Sequence, residues 1–214
     1  MALLDKGALI GRSEQRGKGH AERLLAMVDR VLDEAGYALA SLDAIAADIG
    51  PGAFSGVRLT VAVAQGLAFG AALPVVPVSS LEALALAAFE DGVERALTCL
   101  DARMSEVYWG VFSADAKRGL VTIGAPRVGP PGGVRAPDGA RYRGVGRGFA
   151  VYPALAATVG IDVLARDMQA LPNARAIARL GAIRFAAGAG LDPAELAPLY
   201  VRDKVALTEA ERAP

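Results

Sequence analysis

The sequence predicts an α/β protein folded as two lobes. Two observations carry this. Helical and strand-like segments alternate up to about Glu90, and from Ala96 onward short β-prone runs follow one another closely, as antiparallel strands do. The division falls at residues 94/95, giving lobes of residues 1–94 and 95–214. Of the 214 residues, 53% are hydrophobic and 21% charged, a balance that supports a packed core and excludes a disordered chain.

The segment from Ala21 to Ala35 has the clearest helical period. Leu24, Leu25, Val28, Val31 and Leu32 share one face, charged residues take the other, and Gly36 stops the helix. Leu42 to Ile49 reads as a short buried strand. It runs into the loop Gly50-Pro51-Gly52-Ala53-Phe54-Ser55-Gly56, and a second helix spans about Val57 to Phe69 with Ser55 as its expected N-cap. That helix is apolar almost all round. Only Arg58 and Gln65 are strongly polar, and at seven residues apart they share a face. One side of such a helix packs on its own sheet; the other calls for a second helix or a partner.

Further along, Pro74 to Val78 reads as a strand, and Ser79-Ser80-Leu81-Glu82 as a cap opening a helix to about Phe89. Strands follow at Ala96 to Leu100, Glu106 to Phe112 and Val121 to Ile123. The stretch Pro126 to Gly148 is irregular around a short strand near Tyr142, and a last helix spans Ala174 to Ala187. The tail after Tyr200 is polar and expected to be mobile.

The function classes narrow from composition. Acidic and basic residues balance at 23 each, so no global field gathers nucleic acid. The arginines at 135, 141, 143 and 147 make one segment locally basic; a solvated loop is the simpler reading and an auxiliary RNA contact the sharper one. A single cysteine, Cys99, lies in an apolar run, which suits a reducing cytoplasm and a buried thiol. A single histidine, His20, excludes a metal site built on several histidines, and no cofactor is expected. The first residues carry charge where a secretory leader is apolar, and the apolar stretch Leu59 to Val76 is broken by Gln65 and Pro74, so it reads as a helix, a turn and a strand.

The glycine loop is the sharpest local feature. Gly50, Pro51, Gly52, Ser55 and Gly56 form a candidate nucleotide or anion loop at the start of a helix, where backbone N–H groups attract phosphate. The sequence is neither a Walker A loop nor G-x-G-x-x-G, and a tight structural turn explains the same residues. Ser55 is not in a nucleophile elbow. Asp101, Arg103 and Glu106 flank the turn between two strands, where carboxylates serve acid–base chemistry or, more often, fix the turn.

Several runs together resemble the TsaB (YeaZ) family. They are KGHAERLLAMVDRVLDEAG from Lys18, LDAIA from Leu42, GPGAFSGVRLTVAVAQGLAFG from Gly50, PVVPVSSLEALA from Pro74, LDARMSEVYWGVF from Leu100 and PLYVRDKVAL from Pro198. The glycine loop and the DAR hairpin are specific in combination. The resemblance implies the fold of actin, the sugar kinases and the heat-shock ATPases, a ribonuclease H-like fold. It also implies a noncatalytic paralogue of TsaD, the subunit that transfers the threonylcarbamoyl group to tRNA. Such a subunit serves as a scaffold and dimerization subunit. It binds TsaD as a heterodimer and joins TsaE in a ternary complex; alone it forms a homodimer, and it meets tRNA only through the complex. The alternative is an enzyme of the same superfold, an ATPase, kinase or glycoprotease-like hydrolase.

The TsaD metal motif needs two histidines four apart, whereas here His20 is followed at that spacing by Leu24. The family pattern also places a strand and an Asp-Thr-Ser turn ahead of the segment matching Ala2-Leu3-Leu4, so the first N-terminal strand and first phosphate-facing loop are expected to be missing. The expected partner surface joins Leu24, Met27, Val28 and Val31 of the first helix to Arg58, Leu59, Ala62, Gln65, Gly66 and Phe69 of the second.

Overall fold

In the computed structural model, residues 1–13, 20–137 and 141–202 are described. The chain opens with a hairpin that sequence reading did not foresee. Strands β1 (Ala2–Asp5) and β2 (Ala8–Gly11) pair antiparallel around Lys6 and Gly7. Both turn residues have positive φ, at 46° and 89°, as a tight hairpin turn requires. Helix α1 (His20–Ala35) follows, then β3 (Ile45–Asp48), α2 (Phe54–Ala71), β4 (Val75–Val78) and α3 (Ser80–Glu90). β3 and β4 pair in parallel with α2 as the crossover between them. The two strand pairs form separate two-stranded sheets.

The second lobe holds one sheet in the order β7-β6-β5-β8. Strands β5 (Arg95–Arg103), β6 (Glu106–Asp115) and β7 (Gly119–Gly129) form an antiparallel meander, and β8 (Arg143–Val145) adds in parallel to β5. Two short helices, α4 (Gly148–Val151) and α5 (Leu155–Val159), cover one side. Leu97, Cys99, Val107, Trp109, Phe149 and Leu155 form the core beneath them.

The chain then returns to the first lobe. Helix α6 (Ala174–Ala186) packs across all four strands β1–β4 and against α3. Arg184 fastens it there, donating to the Pro77 carbonyl at 2.8 Å and to the Glu82 carboxylate at 2.6 Å. Segment 174–202 therefore lies with the first lobe although it follows residue 95 in sequence. α3 is wedged between α6 and the second sheet, and Leu81, Leu84, Phe112 and Leu180 share its core. The tail expected to be mobile falls mainly on residues 203–214, outside the described residues.

Candidate functional site: an interlobe cleft and an exposed helix face

The glycine loop is organised by Asp48 at the end of β3. Its Oδ1 accepts from the Gly50 N–H at 2.8 Å and from the Ser80 hydroxyl at 2.7 Å, while the Ser80 N–H donates to the Gly50 carbonyl at 2.8 Å. The loop spends these polar groups on its own turn. Burial raises the Asp48 carboxyl pKa above the usual value, opposed by the hydrogen bonds from Gly50 and Ser80. Asp48 thus fixes the Gly50 end of the loop, while Pro51, Gly52 and Ala53 line the cleft beside Arg58, Arg103, Arg147 and Arg202.

The expected N-cap is corrected. α2 starts earlier than its apolar period implied, and Ala53 is the N-cap residue, with no side-chain bond. Ser55 and Gly56 fall within the first turn, exposed, because the turn held by Asp48 ends ahead of Ala53 and leaves Phe54 free to open the helix. His20 opens α1, but its side chain lies outside the described residues.

Between the lobes lies a cleft of about 520 Å³. Gly52, Phe54 and Val57 line it from the first lobe, and Leu100, Tyr108 and Val151 from the second. A C-terminal strap closes it. Leu191 exchanges backbone bonds with Val75, Leu196 is buried under α2, and the Leu199 N–H donates to the Ile49 carbonyl at 2.8 Å. Tyr200 then accepts from Arg58 Nε at 3.0 Å, and the Arg58 guanidinium stacks 3.7 Å from the Phe54 ring centroid. Arg202 crosses to the second lobe, donating to the Glu106 carboxylate and, at 3.2 Å, to the Ala102 carbonyl.

The strap was missed in the sequence, and with it the partners of two expected interface residues. Gln65 Nε2 donates to the carbonyls of Pro193 at 3.0 Å and Leu196 at 3.2 Å. Arg58 and Gln65 do share a face, as their spacing indicated, but that face meets the chain's own C-terminal segment. The turn residues Arg103, Met104 and Ser105 all have positive φ, and Asp101 holds them by accepting from the Arg103 N–H at 3.0 Å. Asp101 and Arg103 therefore act as turn formers. The four arginines of the basic segment disperse. Arg135 bonds the carbonyls of Gly132 and Val134, Arg141 and Arg143 pair with Asp162 and Asp167, and Arg147 lines the cleft.

An exposed apolar surface lies on α1 and α2, which pack against each other. On α2, Val61, Ala64 and Ala68 are buried against β3 and Leu196. Ala62, Gly66 and Gly70 are exposed, Phe69 is 59% exposed, and Leu59 is half-buried. On α1, Leu24 and Met27 are half-buried and Leu25 is 46% exposed. Val28 and Val31, also expected at the partner surface, are buried: they form the inward stripe of α1, which packs on β1, β2 and α2. By length and composition α2 also passes as a membrane-crossing helix, yet it packs on β3 and β4 within the lobe. Among the described residues no group of three or more His, Cys, Asp or Glu side chains converges on a point that a metal ion would occupy.

Comparison with known proteins agrees with this architecture. Residues 14–124 match the family model of TsaD, tRNA N6-adenosine threonylcarbamoyltransferase. The chain is 33% identical to the tRNA threonylcarbamoyladenosine biosynthesis protein TsaB of Haemophilus influenzae, over 96% of this chain and 89% of that protein. It is 32% identical to TsaB of Escherichia coli K12, over 96% and 90%. The solved structure of YeaZ from Pseudomonas aeruginosa superposes with a TM-score of 0.84 at 40% identity, covering 93% of this chain and 92% of that one. With its two-lobed fold of the actin and sugar-kinase type and its TsaD-like first half, the chain belongs to the TsaB (YeaZ) family of tRNA threonylcarbamoyladenosine biosynthesis proteins.

Proposed function

We propose that this protein is a noncatalytic scaffold and dimerization subunit of the tRNA threonylcarbamoyladenosine transferase complex, and that it binds and supports TsaD. The observation that carries the reading is α2. Only three of its 18 residues are buried, although it is apolar nearly all round. An apolar face of Ala62, Gly66 and Phe69 left in water, with Leu25 exposed on the neighbouring α1, is unfavourable, and a partner helix pair relieves it. The small residues Ala62 and Gly66 let a facing helix approach closely.

The partner is TsaD, a paralogue that presents a matching pair of helices. TsaE joins as the third component, and tRNA is engaged through the complex. In the absence of TsaD the same face meets its copy about a two-fold axis, so homodimer and heterodimer compete. The working compartment is the cytoplasm. The arrangement at Asp48 and Ser80 favours this reading over an ATPase, kinase or hydrolase of the same superfold, because it commits the Gly50 backbone and the Ser80 hydroxyl to holding a turn.

The test is co-purification with TsaD, followed by sedimentation of the two proteins at increasing TsaD. Heterodimer growing at the expense of homodimer supports the reading. Failure to associate, or hydrolytic turnover by the purified chain alone, overturns it.

A further inference from the structure

Acidic and basic residues balance at 23 each over the chain, yet the interlobe cleft is lined by four arginines, Arg58, Arg103, Arg147 and Arg202, and one carboxylate, Asp101. Asp101 is committed to its own turn and to Arg103, 3.3 Å away. Arg202 is neutralised by Glu106. Two guanidinium groups are left without a carboxylate among the described residues. Arg58, from the first lobe, engages only Tyr200 and the Phe54 ring. Arg147, from the second lobe, makes no side-chain hydrogen bond, ion pair or ring contact with them.

Backbone donors add to this charge. The N–H groups of Gly52 and Ala53 have no acceptor among the described residues, and α2 begins at Phe54 without a side-chain cap, so its positive end borders the cleft. On the strap, the N–H groups of Tyr200 and Val201 have no acceptor among the described residues either, whereas the neighbouring Leu199 N–H is taken by Ile49. Between these donors the walls are aliphatic, supplied by Val57, Leu100, Val151 and Leu171. The cleft is therefore complementary to carboxylate and carbonyl oxygens at its edges and to an apolar group between them.

Three features select the kind of occupant. Phe54, Val151, Leu171 and Tyr200 are each between 41% and 54% exposed, so the cleft is open where a small-molecule site encloses its ligand. A chain that runs through the cleft and out of it covers such a rim. A nucleoside polyphosphate brings a divalent cation, and the one carboxylate in the lining is already held in its turn. A nucleic-acid strand calls for a continuous cationic track with broad stacking faces, whereas here two unpaired cations belong to different lobes and the walls between them are aliphatic.

We propose that the interlobe cleft docks an extended acidic segment of a partner protein. Arg58 and Arg147 take carboxylates from the two lobes, the N–H groups of Gly52 and Tyr200 take backbone carbonyls, and an apolar side chain settles against Val57 and Leu100. The site is separate from the helix face around Ala62 and Phe69, so it stands whether or not that face meets TsaD. Because each lobe supplies one of the two cations, a docked segment also ties the lobes together.

The experiment selects binders from a random heptapeptide library on the chain as it stands. An enriched peptide is then measured by fluorescence anisotropy against the parent, Arg147→Glu and Arg147→Lys, with circular dichroism on each variant. Arg147→Gln takes the place of Arg147→Glu if that variant loses its fold. The expected result is enrichment of sequences that flank Leu, Ile or Phe with Asp or Glu. Binding weakens by at least about tenfold in Arg147→Glu and by less than about threefold in Arg147→Lys, and the amide resonances of Gly52, Ala53 and Tyr200 shift on binding. Several results overturn the proposal. No acidic sequence is enriched, or the peptides bind Arg147→Glu as well as the parent. A uridine heptanucleotide displaces the peptide at equal or lower concentration, which makes the cleft an RNA site. Binding appears only after residues 203–214 are removed, or falls as the chain self-associates, which makes the chain's own tail or a second copy the occupant. Binding is lost in Ala62→Glu, which places the peptide on the helix face.

Discussion

Helices α2 and α3 have almost the same character in sequence and opposite fates in the structure. Both are alanine-rich and largely apolar, and both lack a polar face wide enough to stay in water. α3 buries seven of its 11 residues between α6 and the second sheet. α2 buries three of 18. Their starts differ as well. α3 has a full capping box, with Ser79 accepting from the Leu81 N–H and Glu82 from the Ser79 N–H, whereas α2 has no side-chain cap. A helix locked into the core is fixed at its end by the same chain. On the proposed reading, a helix of similar hydrophobicity with one face uncovered leaves part of its burial to another molecule. Composition alone does not separate a core helix from an interface helix; the placement of neighbouring elements does.

The largest expected effect lies on the core side of that comparison. Leu84→Ala empties space in a fully packed site and is expected to lower the unfolding free energy by about 2–5 kcal/mol, read by urea denaturation. A loss of less than about 1 kcal/mol there would mean that α3 is not the core helix described. On α2, Ala62→Glu is expected to leave the isolated fold within about 0.5 kcal/mol, because the site is exposed. It should nevertheless weaken association with TsaD by tenfold or more, since a charge would have to be buried unpaired; tenfold corresponds to about 1.4 kcal/mol. Sedimentation and denaturation on one preparation separate the two outcomes, and unfolding of this variant would place α2 in the core.

The smallest effect concerns the turn that delivers the chain into α2. The Asp48 carboxyl has a raised pKa in the fold, so ionisation costs folding free energy. The sign follows: the native state holds this proton more tightly than the unfolded chain, so Asp48 subtracts stability once the pH is above its folded pKa. That penalty fades as the pH drops toward 3.8, the ordinary value for an aspartate carboxyl. Asp48→Asn keeps an acceptor for Gly50 and Ser80. Its stability relative to the parent should be highest at neutral pH and should fall as acid removes the parent's penalty, by about 1.4 kcal/mol for each unit of the raised pKa. Urea midpoints from pH 7 downward check this, and a difference that stays flat with pH would contradict it.

Much of the helical framework was legible in the sequence because long periodic segments carry their own signal. α1, α3 and α6 appear within a few residues of their expected bounds. The β5–β6 hairpin around Asp101 was equally readable from its bulky residues. What escaped was set by tertiary contacts. β1 and β2 are four residues each, too short for alternation to speak. The strap from Leu191 to Arg202 has little regular structure; it is held by Val75, Ile49 and Gln65, which lie far away in sequence. For the same reason Arg58 and Gln65 looked like a free polar stripe when their partners come from the other end of the chain. The α1 periodicity located Val28 and Val31 on one face but did not say that this face is turned inward.

The packing of Cys99 gives the second lobe a built-in clock. It is the sole cysteine of the chain, fully enclosed on β5, with α4 so close that Gly148 has no room for a Cβ. Burial, with a smaller contribution from the Asp101 carboxylate, pushes its thiol pKa up to about 12. As long as the lobe is closed, thiolate is scarce and reagent has no path to the sulfur. The rate at which a thiol-directed label enters therefore measures how often β5 and α4 part, independently of anything that happens to the cysteine-free first lobe.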